Sequence, residues 1–122
     1  MNATLQAQRA YASGTAPLRT PKNIEYDAVA RVTHKLKRAW AERDKSFAAL
    51  AQALEQNRKL WQIFASDVAS ENNGLPPDVR AQIFYLAEFT FAHTRKVLAR
   101  HESVLDLVEI NTAIMRGLKP GE

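Results

Sequence analysis

The sequence predicts an all-α fold: an antiparallel helical bundle of four main helices, with a short N-terminal helix or arm appended. Three observations carry this expectation. Apolar residues such as Leu50, Leu54, Trp61, Phe64 and Val68 recur at three- and four-residue steps, the stripe of an amphipathic helix. No stretch alternates apolar and polar residues at period two, and the chain holds only 4 glycines, so strands and tight hairpins lack their usual signals. Short breaks separate the periodic stretches, which makes sequential helices antiparallel neighbours.

Residues 1–12 read as a short, weakly amphipathic helix, and "SGTAPLRTP" then breaks the periodicity with Ser, Gly and two prolines. Residues 1–21 are therefore expected to be an arm and linker, and residues 22–122 the bundle domain. The first main helix should run from about Asn23 to about Glu42, with Thr20 or Asn23 as cap and Glu25 favouring the helix dipole. Its apolar side carries Tyr26, Val29, Thr33, Leu36 and Trp40, and its other side Arg31, His34, Lys35 and Arg38. "ERDKSF" interrupts the stripe, and Asp44 or Ser46 can cap a helix that reaches about Ser70. "ENNGLPP" stops that helix, while Pro77 suits the first turn of the next, where its missing N–H costs nothing. The following helix shows Val79, Ile83, Leu86, Ala87, Thr90 and Val97 on one side, with Phe84, Phe91 and Leu98 a heptad apart beside them. A last helix is expected from about Glu102 to Arg116, stopped by Gly117 as its C′ residue with Pro120 beyond.

With 122 residues, 46% of them apolar, the chain is the size of one domain and can bury roughly two thirds of its unfolded surface without staples. The absence of cysteine excludes a disulfide framework and thiolate metal sites. Neither a signal-peptide pattern nor a membrane-length apolar run is present, so a cytoplasmic, soluble protein without membrane insertion is expected. The formal charge of +4 raises the question of nucleic acid. Its clearest concentration, Arg31, Lys35 and Arg38, has no aromatic or glycine residues interleaved to stack bases or approach phosphates. A solvated outer face is the first reading of that stripe, and contact with RNA or an anionic surface the alternative.

Catalytic chemistry is not indicated. His34, His93 and His101 are not spaced to share a helical turn, and no nucleophilic cysteine or phosphate-cradling glycine loop occurs. His93 falls at the margin of an apolar face, where an imidazole bonded to a neighbour is the simplest role. The expectation is a protein that is not an enzyme and has no metal or cofactor. What calls for explanation is a pair of amides, because Asn57 and Asn111 each occupy the middle of an apolar stripe, with Trp61 as an adjacent core anchor. A buried amide without partners costs about 1–3 kcal/mol, whereas a paired one nearly breaks even and fixes helix register. Both should then be bonded to each other, to backbone carbonyls or to buried water, or else serve to read a peptide in a groove. On this reading Asn111→Leu is near neutral. Tyr85 and Phe89, one turn apart, project away from the Ile83, Leu86 and Thr90 stripe on a side shared with Ala92 and Lys96. That side is open either to the protein's own N-terminal arm or another helix, or to an external partner.

The stretches "RTPKNIEYDAVARVTHKL", "LAQALEQNRKLWQIFASDV", "NGLPPDVRAQIFYLAEFTFAHT" and "LVEINTAIMRGL" resemble, in this order and spacing, the FlaF family of flagellar biosynthesis regulators of alphaproteobacteria. The resemblance covers nearly the whole chain from Tyr11, and "NRKLW", "LPPDVRAQI" and "EINTAIMRGL" together make it specific. It implies a small cytosolic helical protein that promotes flagellin synthesis or secretion, binds flagellin directly and acts against the companion regulator FlbT. It transfers no catalytic residues. A flagellin-binding export chaperone and adaptor is the first functional expectation, with Tyr85, Phe89, Ala92 and Lys96 as its candidate partner surface. The alternative is a post-transcriptional regulator of flagellin mRNA, working through RNA on Arg31, Lys35 and Arg38 or through FlbT. A third possibility is a module that needs only self-association.

Overall fold

A computed structural model of the chain describes residues 26–71 and 73–118. The expected arm and linker, and the capping roles of Thr20 and Asn23, lie outside the described residues. Four helices follow one another: α1 (Tyr26–Ala41), α2 (Phe47–Ala69), α3 (Pro77–Leu98) and α4 (Leu105–Leu118). Among the described residues all regular structure is helical.

One hydroxyl sets the start of α2. Ser46 is extended, and its side chain accepts the Ala49 N–H at 3.1 Å, satisfying one of the helix's otherwise orphaned donors. Asp44, the other candidate cap, stays exposed in the turn. At the far end Asn73 folds back, its amide donating to the Asp67 carboxylate at 2.7 Å and its carbonyl accepting Leu75 N–H at 3.1 Å. Gly74 takes φ +89 there, a conformation that a side chain would strain. Pro77 then opens α3.

The last helix departs from expectation at both ends. α3 closes with a Schellman pattern, in which His101 N–H bonds Lys96 O and Arg100 N–H bonds Val97 O, both at 2.9 Å. Arg100 takes φ 66 without being glycine, and its guanidinium lies 4.2 Å from the Phe47 ring centre, a contact that offsets the backbone cost. Residues 101 and 102 are therefore used up in the turn. Ser103 Oγ accepts Leu105 N–H at 3.1 Å, and α4 begins at Leu105 rather than near Glu102. Gly117 is buried within α4 instead of capping it, because the helix continues to Leu118.

Three apolar clusters stack along the bundle. Val68, Leu75 and Val79 close the α2–α3 end. Val29, Leu60, Trp61, Phe64 and Ala87 form the middle, and Leu36, Leu50, Ala53, Leu54, Val97, Val104 and Leu107 the opposite end. α2 packs broadly on α1 and α3, and α4 on α1, whereas α3 and α4 meet only sparsely. Among the described residues the core is thus closed on three sides and thinner on the fourth.

Ser46→Ala should lower unfolding free energy by about 1 kcal/mol, while Ser46→Asp retains most of it, as read from denaturant midpoints at unchanged m-value.

Candidate functional site

Asn111 is fully buried and uses both ends of its amide. Its Oδ1 accepts the Trp61 indole N–H at 2.8 Å, and its Nδ2 donates to Asn57 Oδ1 at 2.8 Å and to Thr33 Oγ1 at 3.0 Å. Thr33 in turn donates to Val29 O at 2.7 Å. One side chain on α4 therefore binds α1 once and α2 twice, in a core where each bond is poorly replaced by water. Asn57 Nδ2 and Thr90 Oγ1 are buried and make no hydrogen bond. Trp61 is wholly buried and meets Phe64 edge-on at 5.0 Å. The near-neutral outcome expected for Asn111→Leu needs correction, since the amide serves three side chains at once and Leu would strand the indole N–H and the Asn57 carbonyl together.

His93 shows which flank of α3 faces α4. Its Nε2–H donates to Ser103 O, in the α3–α4 connection, at 2.8 Å, and its ring stacks on Phe89 at 5.3 Å and 20°. Gln82, Leu86, Phe89 and His93 lie within about 60° of one another on this flank at about 100° per residue. On α4, Val108 packs on the cluster containing Leu36, Trp40 and Phe47, so its flank faces α1 and α2. Ile110 and Ile114 lie on the other flank and pack against the Trp61, Phe64 and Ala87 cluster while remaining half-buried, as does Leu86. Among the described residues α3 and α4 meet sparsely, and Leu86, Ile110 and Ile114 stay half-buried there with half-buried Phe89 on the same flank, an apolar strip called the α3–α4 furrow below.

The four residues singled out for a partner surface are not equally exposed. Tyr85 is 66% exposed and Lys96 is exposed, but Phe89 and Ala92 are half-buried. Of the two aromatic residues of the candidate surface, Tyr85 is an exposed ring and Phe89 a half-buried one that stacks on His93. Sequence reasoning placed Leu86 on the apolar side of its helix and assigned no separate role to Ile110 and Ile114. The signal that separates them is that α4 is apolar on two opposite flanks, Val108 on one and Ile110 on the other, more than a helix covered on one side requires.

Arg31, His34, Lys35 and Arg38 all face outward. Lys35 and Arg38 border an open depression of about 350 Å³ between α1 and α2, but Glu42 shares its rim and Gln52 and Gln56 its wall. The nearby Trp40 ring is half-buried and covered by the Arg43 guanidinium at 3.9 Å, which occupies the face a base would stack on. Among the described residues no three His, Asp or Glu side chains gather to hold a metal, and no helix is long and apolar enough to cross a membrane.

The family model for flagellar protein FlaF matches residues 7–118, spanning all four helices and every residue of the polar node. The chain belongs to the FlaF family. No curated protein and no solved structure matches it. As a FlaF-family flagellar protein it presents two structurally distinct features, a buried amide node and a half-open α3–α4 furrow.

Asn111→Ala should cost about 3–5 kcal/mol, since three partners lose their bonds inside the core. Asn111→Leu should also destabilise by at least about 1 kcal/mol, and Thr90→Val, which removes only an unbonded hydroxyl, should be neutral or gain up to about 1 kcal/mol. Chemical denaturation of the three variants checks the order.

Proposed function

We propose that this FlaF-family protein is a cytoplasmic, non-catalytic export chaperone and adaptor for flagellin, and that an amphipathic terminal helix of flagellin docks in the α3–α4 furrow. The observation that carries the reading is the half-buried apolar surface of Leu86, Phe89, Ile110 and Ile114 where α3 and α4 meet least. A helix laid there with apolar residues at i, i+3, i+4 and i+7 would complete the thin side of the bundle. Tyr85 at the rim supplies a ring whose hydroxyl stays in water while its face covers the incoming helix. Such binding keeps an aggregation-prone segment covered, and a furrow that is only partly open favours affinity moderate enough for release. Regulation of flagellin synthesis, and any exchange with FlbT, would follow from whether the furrow is filled. The competing reading, flagellin mRNA on Arg31, Lys35 and Arg38, has exposed charge in its favour, but the nearby Trp40 ring is already covered by the Arg43 guanidinium.

Titration calorimetry with a flagellin terminal peptide separates the two. Tyr85→Ala with Phe89→Ala should keep the helical circular dichroism yet weaken binding by about 2 kcal/mol or more, because aromatic anchors dominate such interfaces. Lys35→Glu with Arg38→Glu should leave it unchanged, and affinity should fall little with added salt, unlike phosphate contacts. Unchanged affinity in the folded aromatic variant would remove this furrow from consideration. Loss of flagellin output in the charge variant with peptide binding intact would favour the RNA reading.

A further inference from the structure

The flank of α3 opposite the furrow carries a second apolar row. Arg80 Nε donates to Val68 O at 3.0 Å, so the Arg80 flank is the one beside α2. Phe84, Phe91 and Leu98, spaced by sevens, lie within about 40° of Arg80 around the helix. Phe84 is 44% and Leu98 39% exposed, and Phe91 is half-buried against the middle cluster. Ala51, Arg58 and Ala65, also spaced by sevens, are half-buried on the α2 flank away from the α1 depression. Two small side chains there let another helix approach closely. A row at heptad spacing is the pattern that a partner helix, running alongside, can fill continuously.

Charge points to the occupant. Glu88 and Arg95 each sit one turn after a ring of the row, at Phe84 and Phe91, and both are exposed. Neither has an ion-pair partner among the described residues, whereas Arg58 is held by Glu55 through two bonds of 2.8 and 2.9 Å. The Arg58 guanidinium holds the Glu55 carboxyl below its ordinary pKa, so this pair is closed on its own helix. Around Phe91 the row is nearly symmetric: Phe84 stands seven residues before it and Leu98 seven after, Glu88 three before and Arg95 four after. A two-fold interface demands such a pattern, since each patch must complement itself under reversal.

We infer that the Phe84, Phe91 and Leu98 row is a homodimer interface, in which α3 packs antiparallel on α3 of a second copy about a two-fold axis near Phe91. Phe91 then meets its own counterpart, Phe84 meets Leu98, and Glu88 pairs with Arg95 twice per dimer. Phe89 and Phe91 lie about 160° apart around α3, so dimerisation leaves the α4-side furrow open.

Sedimentation equilibrium of the full chain tests this with Glu88→Arg, Arg95→Glu and their combination, both sites being exposed and the monomer fold checked by circular dichroism. The wild-type chain should dimerise with concentration. Each single reversal sets like charges across the axis twice and should raise the dimer Kd about tenfold, and the combined swap should restore it. In a chain with no native cysteine, Phe91→Cys should give a disulfide-linked dimer on mild oxidation, suppressed by adding Glu88→Arg. A wild-type chain that stays monomeric at millimolar concentration overturns the inference. So does a dimer indifferent to the single reversals or not rescued by the swap, and so does loss of flagellin peptide binding by a monomeric Phe84→Ser variant, which would assign the row to the client.

Discussion

The amide of Asn111 is the constraint on which the arrangement of this bundle depends. Apolar side chains pack in many neighbouring registers at similar free energy, but an amide with three specific partners has one. Its bonds to Trp61, Asn57 and Thr33 run to α2 and α1, and none runs to α3. α4 is therefore docked by its polar centre onto the α1–α2 side. Its junction with α3 is left to the shared turn, where His93 holds Ser103 O, and to apolar contact at that end and at the middle cluster that includes Ala87.

That asymmetry shapes the surface. Were α4 centred between α1 and α3, Leu86, Ile110 and Ile114 would be covered as completely as Leu36 or Leu54. They are instead half-buried, and a fifth helix could gain by covering them. α3 is consequently the helix with two unfinished flanks, one beside the furrow and one beside the heptad row.

The fold was legible because each helix declares itself locally. The stripe of Leu50, Leu54, Trp61, Phe64 and Val68, the Ser46 cap and Pro77 at the start of α3 act through near neighbours, so the residues alone predict them. The start of α4 was not legible in the same way. Arg100 adopts a left-handed conformation usually left to glycine, held by the turn's own hydrogen bonds with its guanidinium over the Phe47 ring, far away in sequence.

For the candidate site the division falls along the same line. The sequence by itself determined that Asn57 and Asn111 sit at the centres of apolar stripes and need partners, since the periodicity of a helix depends only on residue spacing. It determined as well that α3 carries apolar residues on more than one side. Only the tertiary structure decided that one amide serves Trp61, Asn57 and Thr33 at once, that Phe89 stacks on His93 while Tyr85 faces water, and that Ile110 and Ile114 stay half-buried against the middle cluster. The physical reason is that a stripe records which side of a helix avoids water, whereas how fully that side is covered depends on where the neighbouring helices stand.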